Sequence, residues 1–150
     1  MTSVKSIVNR AKKFYFEEWR GREKICPAFG EKVHVTRLGW NHIVYLPRRR
    51  LVDKIIRLKN LNIAKEILET ATTYQTIEKK GAYYRYGLWA IRGNKRFKVV
   101  VSSKGKKGRK TFFSFMVSSL TRKEQLKTIR QNKKIIREFR KRNPRRKRKK

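Results

Sequence analysis

From Thr2 to Arg20 the apolar residues Val4, Ile7, Val8, Ala11, Phe14, Tyr15 and Trp19 recur at steps of three and four. That period predicts an amphipathic helix with one face turned to a core. Residues 21–31, with Cys26-Pro27 and Gly30, interrupt it and read as a connecting loop. Val33-His34-Val35-Thr36 alternates like a short strand, and Gly39-Trp40-Asn41 reads as the turn into a helical segment holding His42, Ile43, Val44 and Tyr45. After Pro47 the helical spacing resumes through Leu51, Ile55, Leu58, Leu61, Ala64, Ile67 and Leu68. Asn60 and Asn62 mark a break between two helices there.

Beyond Thr72 the texture changes to β-branched and aromatic residues punctuated by glycine, which predicts strands over 74–79, 83–92, 96–103 and 111–119. Gly93-Asn94 is short enough for a tight hairpin, and 104–110, with Gly105 and Gly108, makes a longer one. Strands joined in this way form an antiparallel meander. Leu126, Ile129, Lys133, Ile136 and Phe139 then restore a helical period, which Asn143-Pro144 ends. The run 145–150 has nothing to bury and is expected to be disordered when unbound. The expected fold class is therefore α+β: N-terminal helices packed on a four-stranded antiparallel meander, with a basic C-terminal helix and a disordered tail. A single domain over 1–142, followed by a basic tail over 143–150, is the expected organisation.

Charge changes the picture from fold to partner. Forty-four Lys and Arg against ten acids give a formal +34, of which +14 falls on 121–150 and +20 on the rest. Such a chain repels itself strongly unless a polyanion or its counterions compensate it. With 38% hydrophobic and 11% aromatic residues the body has enough apolar material for a core, so the charge belongs to a folded protein. No apolar run approaches the roughly 18–20 residues of a membrane span, so no membrane partner is expected. Charges at Lys12, Lys13, Glu17 and Glu18 stand where a secretory signal would be apolar. The lone Cys26 forms no internal disulfide and no Cys-rich zinc site, which makes a reducing cytoplasm the default location. RNA is the leading expected partner and DNA the alternative.

The residues also bound the chemistry. One aspartate, Asp53, and nine scattered glutamates do not predict a two-metal nuclease, and Gly105-Lys106-Lys107-Gly108 lacks the spacing of a phosphate-binding loop. No metal or cofactor is expected. Metal-free RNA cleavage needs only a base for the 2′-hydroxyl, an acid for the departing 5′-oxygen and cations for the phosphorane-like transition state. His42 is the candidate for proton transfer, the alternative being an ordinary helix residue packed beside Trp40. For His34, between Val33 and Val35, a structural role is expected.

Strand alternation that turns Phe97, Val99 and Val101 to the core leaves Lys98 on the other face. Phe113, Phe115 and Val117 facing the core would leave Phe112, Ser114 and Met116 opposite, so Lys98 and Ser114 would share an open sheet surface. The plainer alternative for Lys98 is a solvated strand cation. Tyr74, Tyr83, Tyr84, Tyr86 and Trp89 interleave with Arg85 and Arg92, a mixture suited to stacked bases and paired phosphates. Of these, Trp89 is expected inside and Arg85 or Arg92 near substrate. Lys104, Lys106, Lys107, Arg109 and Lys110 form a cationic loop expected to be mobile and to wrap a backbone. Arg37, and Arg145, Arg146, Lys147 and Arg148 of the tail, complete the expected nucleic-acid contacts.

With Gly39-Trp40-Asn41-His42-Ile43 ahead of a four-stranded meander, the chain resembles the barnase–EndoU–colicin–RelE-like nuclease superfamily, most of all its small phage- and toxin-associated branches. The resemblance covers about residues 33–119 and no second His appears in the final strand. It implies a metal-independent endoribonuclease of toxin-like type, with its site on the open sheet face. It also implies His42 as catalytic position, Lys98 and Ser114 as phosphate or transition-state contacts, and an antitoxin protein as partner. The competing expectation is a non-catalytic RNA- or ribosome-binding protein. A DNA-binding regulator using 121–142 as recognition helix ranks third, without a helix-turn-helix to support it.

Overall fold

A computed structural model describes residues 3–45, 50–120 and 130. The expected C-terminal helix and the tail cations Arg145, Arg146, Lys147 and Arg148 lie outside them, as does Pro47. The chain divides into two compact units, 1–118 and 119–150, and the elements described below belong to the first.

Helix α1 (Val4–Lys13) is capped by Ser3, whose hydroxyl accepts from the Ser6 amide at 3.1 Å. Its end departs from the expected α-helix, because Phe14–Trp19 winds as a π-helix. The Arg20 amide reaches back five residues to the Tyr15 carbonyl at 2.9 Å. The wider turn brings Tyr15 and Trp19 into one buried cluster, with ring centroids 5.6 Å apart. The expected loop over 21–31 contains a minimal hairpin, β1 (Ile25–Cys26) paired with β2 (Glu31–Lys32), closed by Gly30 at φ +67°.

Val33 and Val35 are buried, but the expected strand at 33–36 amounts to a single parallel bridge from His34 to Thr111. Helix α2 (Arg37–Val44) begins at Thr36, whose hydroxyl accepts from the Leu38 amide. Gly39 therefore lies inside a helix and not in a turn. A Cβ there would sit 2.5 Å from the Phe112 ring and 2.7 Å from the Tyr15 hydroxyl, so the glycine permits close packing. Helices α3 (Leu51–Lys59) and α4 (Leu61–Thr70) meet at Asn60, as the sequence predicts.

Four strands follow, β3 (Thr76–Lys80), β4 (Tyr83–Arg92), β5 (Lys95–Lys104) and β6 (Thr111–Ser119), in that spatial order. The two-residue turns at 81–82 and 93–94 each place a glycine at positive φ, Gly81 at +60° and Gly93 at +62°. Among the described residues the architecture is thus α+β: four α-helices with a four-stranded antiparallel sheet and a separate two-stranded one. Leu58, Leu61, Ala64, Ile67 and Leu68 join Tyr86, Leu88, Phe97, Val99 and Val101 in one core. Each fully buried Leu, Ile, Val or Phe side chain among these contributes about 1.5–3 kcal/mol. With one sheet face committed to this core, the other carries the polar half of each strand.

Candidate nucleic-acid interface

The register places that second face residue by residue. Opposite Glu78 of β3 stands Arg85 of β4, and opposite Arg85 stands Ser102 of β5. The next row is Thr76, Gly87 and Val100, and the one after pairs Trp89 with Lys98. A groove of about 500 Å³ runs across these rows, lined among others by Thr76, Glu78, Arg85, Lys98, Phe113 and Ser114. Arg85 and Lys98 are half-buried in it, and Ser114 is 6% exposed. Two of the three expected catalytic residues, Lys98 and Ser114, therefore do share one surface, together with Arg85.

The floor of the groove is Gly87. A Cβ at this position would meet the Thr76 hydroxyl at 2.3 Å and the Lys98 Cε at 2.9 Å, so the missing side chain lets Lys98 lie across β4. The Arg85 guanidinium reaches past the small Ser102 to the Phe113 ring, 3.8 Å from its centroid. Its Nε is buried without a hydrogen-bond partner. A guanidinium held by an aromatic ring and left with an unused donor is arranged to take an anionic oxygen.

Phe113 itself corrects the expected alternation. Phe112 and Phe115 both enter the core, three residues apart, while Phe113 and Ser114 between them both line the groove. The alternation slips by one residue, as at a β-bulge, which re-aims side chains in this way. Phe112 is thus a core residue against Tyr15 and Trp19, with ring centroids 6.1 and 5.2 Å away, and Phe113 belongs to the site.

His42 sits half-buried on α2, its ring centroid 4.0 Å from that of Phe113. It therefore borders the groove through Phe113 and does not line it. His34 uses its backbone to dock beside β6, its amide donating to the Lys110 carbonyl at 2.8 Å and its carbonyl accepting from Phe112 at 2.9 Å.

Other expectations are relocated. Trp89 is not inside: it is 37% exposed on the groove face, with Arg96 and Lys98 cations 4.9 and 5.7 Å from its ring. The core side of β4 is filled by Tyr86 and Leu88, which have the opposite parity. Arg92 is drawn to the helical side of the sheet, where its guanidinium pairs with Glu66 of α4 at 2.9 Å. Arg37 lies over Phe16, 5.5 Å from the ring, also away from the groove.

The cationic loop is built, not loose. Lys110 is 4% exposed, and its ammonium donates to the carbonyls of Lys106 and Gly108 at 3.0 and 2.9 Å, with Glu31 at 3.5 Å. The Ser103 hydroxyl donates to the Gly105 carbonyl at 2.7 Å, and a Cβ on Gly108 would collide with the Lys104 carbonyl at 2.0 Å. With the loop carbonyls turned onto Lys110, the cations of Lys104, Lys106, Lys107 and Arg109 are left exposed. Lys110 is the staple and the other four are the surface.

Glu78, Thr76, Gly87 and Phe113 escaped the sequence reading. A glycine inside a strand signals close approach of another group, and a two-residue turn at 81–82 fixes Glu78 opposite Arg85, so both signals were present. Among the described residues no three His, Cys, Asp or Glu side chains come together as a metal-holding group, and no helix is long and apolar enough to cross a membrane. Comparison with protein-family models, curated proteins and solved structures finds no match for this chain.

Proposed function

We propose that this protein binds RNA on the open face of its sheet and cleaves it there without a metal. The observation that carries the proposal is the convergence of Arg85, Lys98, Ser114 and Glu78 on one groove. Two cations hold a phosphodiester and oppose the charge that develops on the phosphorane, and Ser114 supplies a neutral donor. Glu78 is the carboxylate within this set, bonded to Lys80 at 3.0 Å. It accepts the 2′-hydroxyl proton as the 2′-oxygen attacks phosphorus. The P–O5′ bond breaks, and His42, which borders the groove through Phe113, protonates the departing oxygen through one intervening water. The products are a 2′,3′-cyclic phosphate and a 5′-hydroxyl.

One observation favours a second reading, a non-catalytic RNA- or ribosome-binding protein. His42 packs on Phe113 and lines no part of the groove. Labelled RNA incubated with the protein in EDTA separates the two. Cleavage to cyclic-phosphate ends, lost by about 10²-fold or more in Glu78→Gln and His42→Ala with affinity retained, is the expected result. Intact RNA with tight, salt-sensitive binding supports the second reading, and absence of RNA binding overturns both.

A further inference from the structure

Tyr83 and Tyr84 open β4, and strand alternation sends their rings to opposite faces of the sheet. Tyr83, 46% exposed, takes the groove face, with Lys80 and Lys104 as its direct cross-strand neighbours. Such neighbours lie about 4.5–5.5 Å apart at Cβ. Tyr84 takes the other face, where the ammonium groups of Lys79 and Lys106 stand 6.0 and 5.8 Å from its ring centroid. Tyr83 thus has a lysine paired across from it on either neighbouring strand, and the Tyr84 ring has two ammonium groups near it, one from β3 and one from the loop after β5. Lys107 and Arg109, exposed on the stapled loop, extend the same cationic rim. The carboxylates at this end are Glu78, which is shared with Lys80, and Glu31, 3.5 Å from the Lys110 ammonium of the loop.

We propose that this end of the sheet is a second nucleic-acid site, contiguous with the groove but separate from it, and that its ligand is single-stranded RNA. The proposal rests on the reading that RNA is the polymer bound. An exposed ring between cations is a stacking platform: it needs an unpaired base with a free face, while the flanking ammonium groups take the phosphates on either side. A duplex buries its base faces and would use only the cations. Tyr83 lies two residues along β4 from Arg85 on the same face, roughly 7 Å away at 3.3–3.4 Å per residue. A strand leaving the groove therefore meets Tyr83 next, and the loop cations after it. Tyr84 packs partly against the core, so Tyr83 carries most of the stacking.

Fluorescence anisotropy of the full chain with a labelled oligouridine and with an RNA duplex, both 2′-O-methylated so that they cannot be cleaved, over a range of salt, tests this. Tyr83→Ala is expected to weaken oligouridine binding about tenfold and leave duplex binding unchanged. Lys80→Gln with Lys104→Gln is expected to lower the salt slope for oligouridine by about 0.7 for each lost phosphate contact. Unchanged affinity and slope in these variants, alongside weaker binding in Arg85→Gln, would overturn the second site and leave the RNA reading standing. Equal losses on duplex and single strand in Tyr83→Ala would overturn the single-stranded assignment. Failure of the wild-type chain to bind either RNA would remove the RNA reading, and this site with it.

Discussion

Tyr15 is buried among Trp19, Trp40 and Phe112, and its hydroxyl donates to the Thr36 carbonyl at the start of α2. Burial, the largest influence, pushes its phenol above the ordinary value of 10.0. A raised folded-state value means that the fold holds the proton, so this contribution is complete below pH 10 and fades as pH rises beyond it. Tyr15→Phe is expected to cost about 1–2 kcal/mol at neutral pH, with the gap to wild type narrowing above pH 10 in denaturant titrations. Lys110 gives a second prediction at this scale. Lys110→Met leaves the Lys106 and Gly108 carbonyls without their donor and should cost about 1–3 kcal/mol. Faster amide exchange over 105–109 would report the loosened loop, whereas unchanged exchange would show that the staple is not needed.

Elements were legible wherever one period governed one face. The four strands and the break at Asn60 follow from alternation and turn residues, and the parity of β5 is as expected, with Phe97, Val99 and Val101 inward. What alternation could not reveal was its own interruption. The slip between Phe112 and Phe115 depends on how β6 packs against Tyr15 and Trp19, which no local pattern encodes. Trp89 and Arg92 were misplaced because an aromatic suggests core and a cation suggests solvent or phosphate, while parity and Glu66 decide otherwise. Lys110 was hidden in a charge run whose other members are exposed. Gly39 read as a turn because close packing and turn formation call for the same residue. Gly87 yields the prediction at this scale. In Gly87→Ala the new methyl would sit 2.3 Å from the Oγ1 of β-branched Thr76 and 2.9 Å from the flexible Lys98 Cε, so Thr76 or the strand must shift, at a cost of about 1–3 kcal/mol, while the fold should hold. RNA affinity should nevertheless fall about tenfold, the loss of one charge-assisted contact. An unchanged affinity would show that the groove floor is not where RNA binds.

At the scale of the molecule the +34 charge has a structural distribution. On the described body it resolves into a groove with Arg85 and Lys98, a rim with Lys104, Lys106, Lys107 and Arg109, and cations such as Arg92 and Lys110 that serve the fold. Deleting residues 144–150 removes six further positive charges and is expected to weaken RNA binding and flatten its dependence on salt. An unchanged slope would show that this segment makes no phosphate contact. On the proposed function, RNA lies on the open sheet face. Photo-crosslinking of the full chain to a 4-thiouridine oligonucleotide, with the attached peptides mapped by mass spectrometry, tests it most directly. Adducts on Tyr83, Trp89 or Phe113 are the predicted result; adducts confined to Phe16 or Tyr45, on the helical elements, would contradict it.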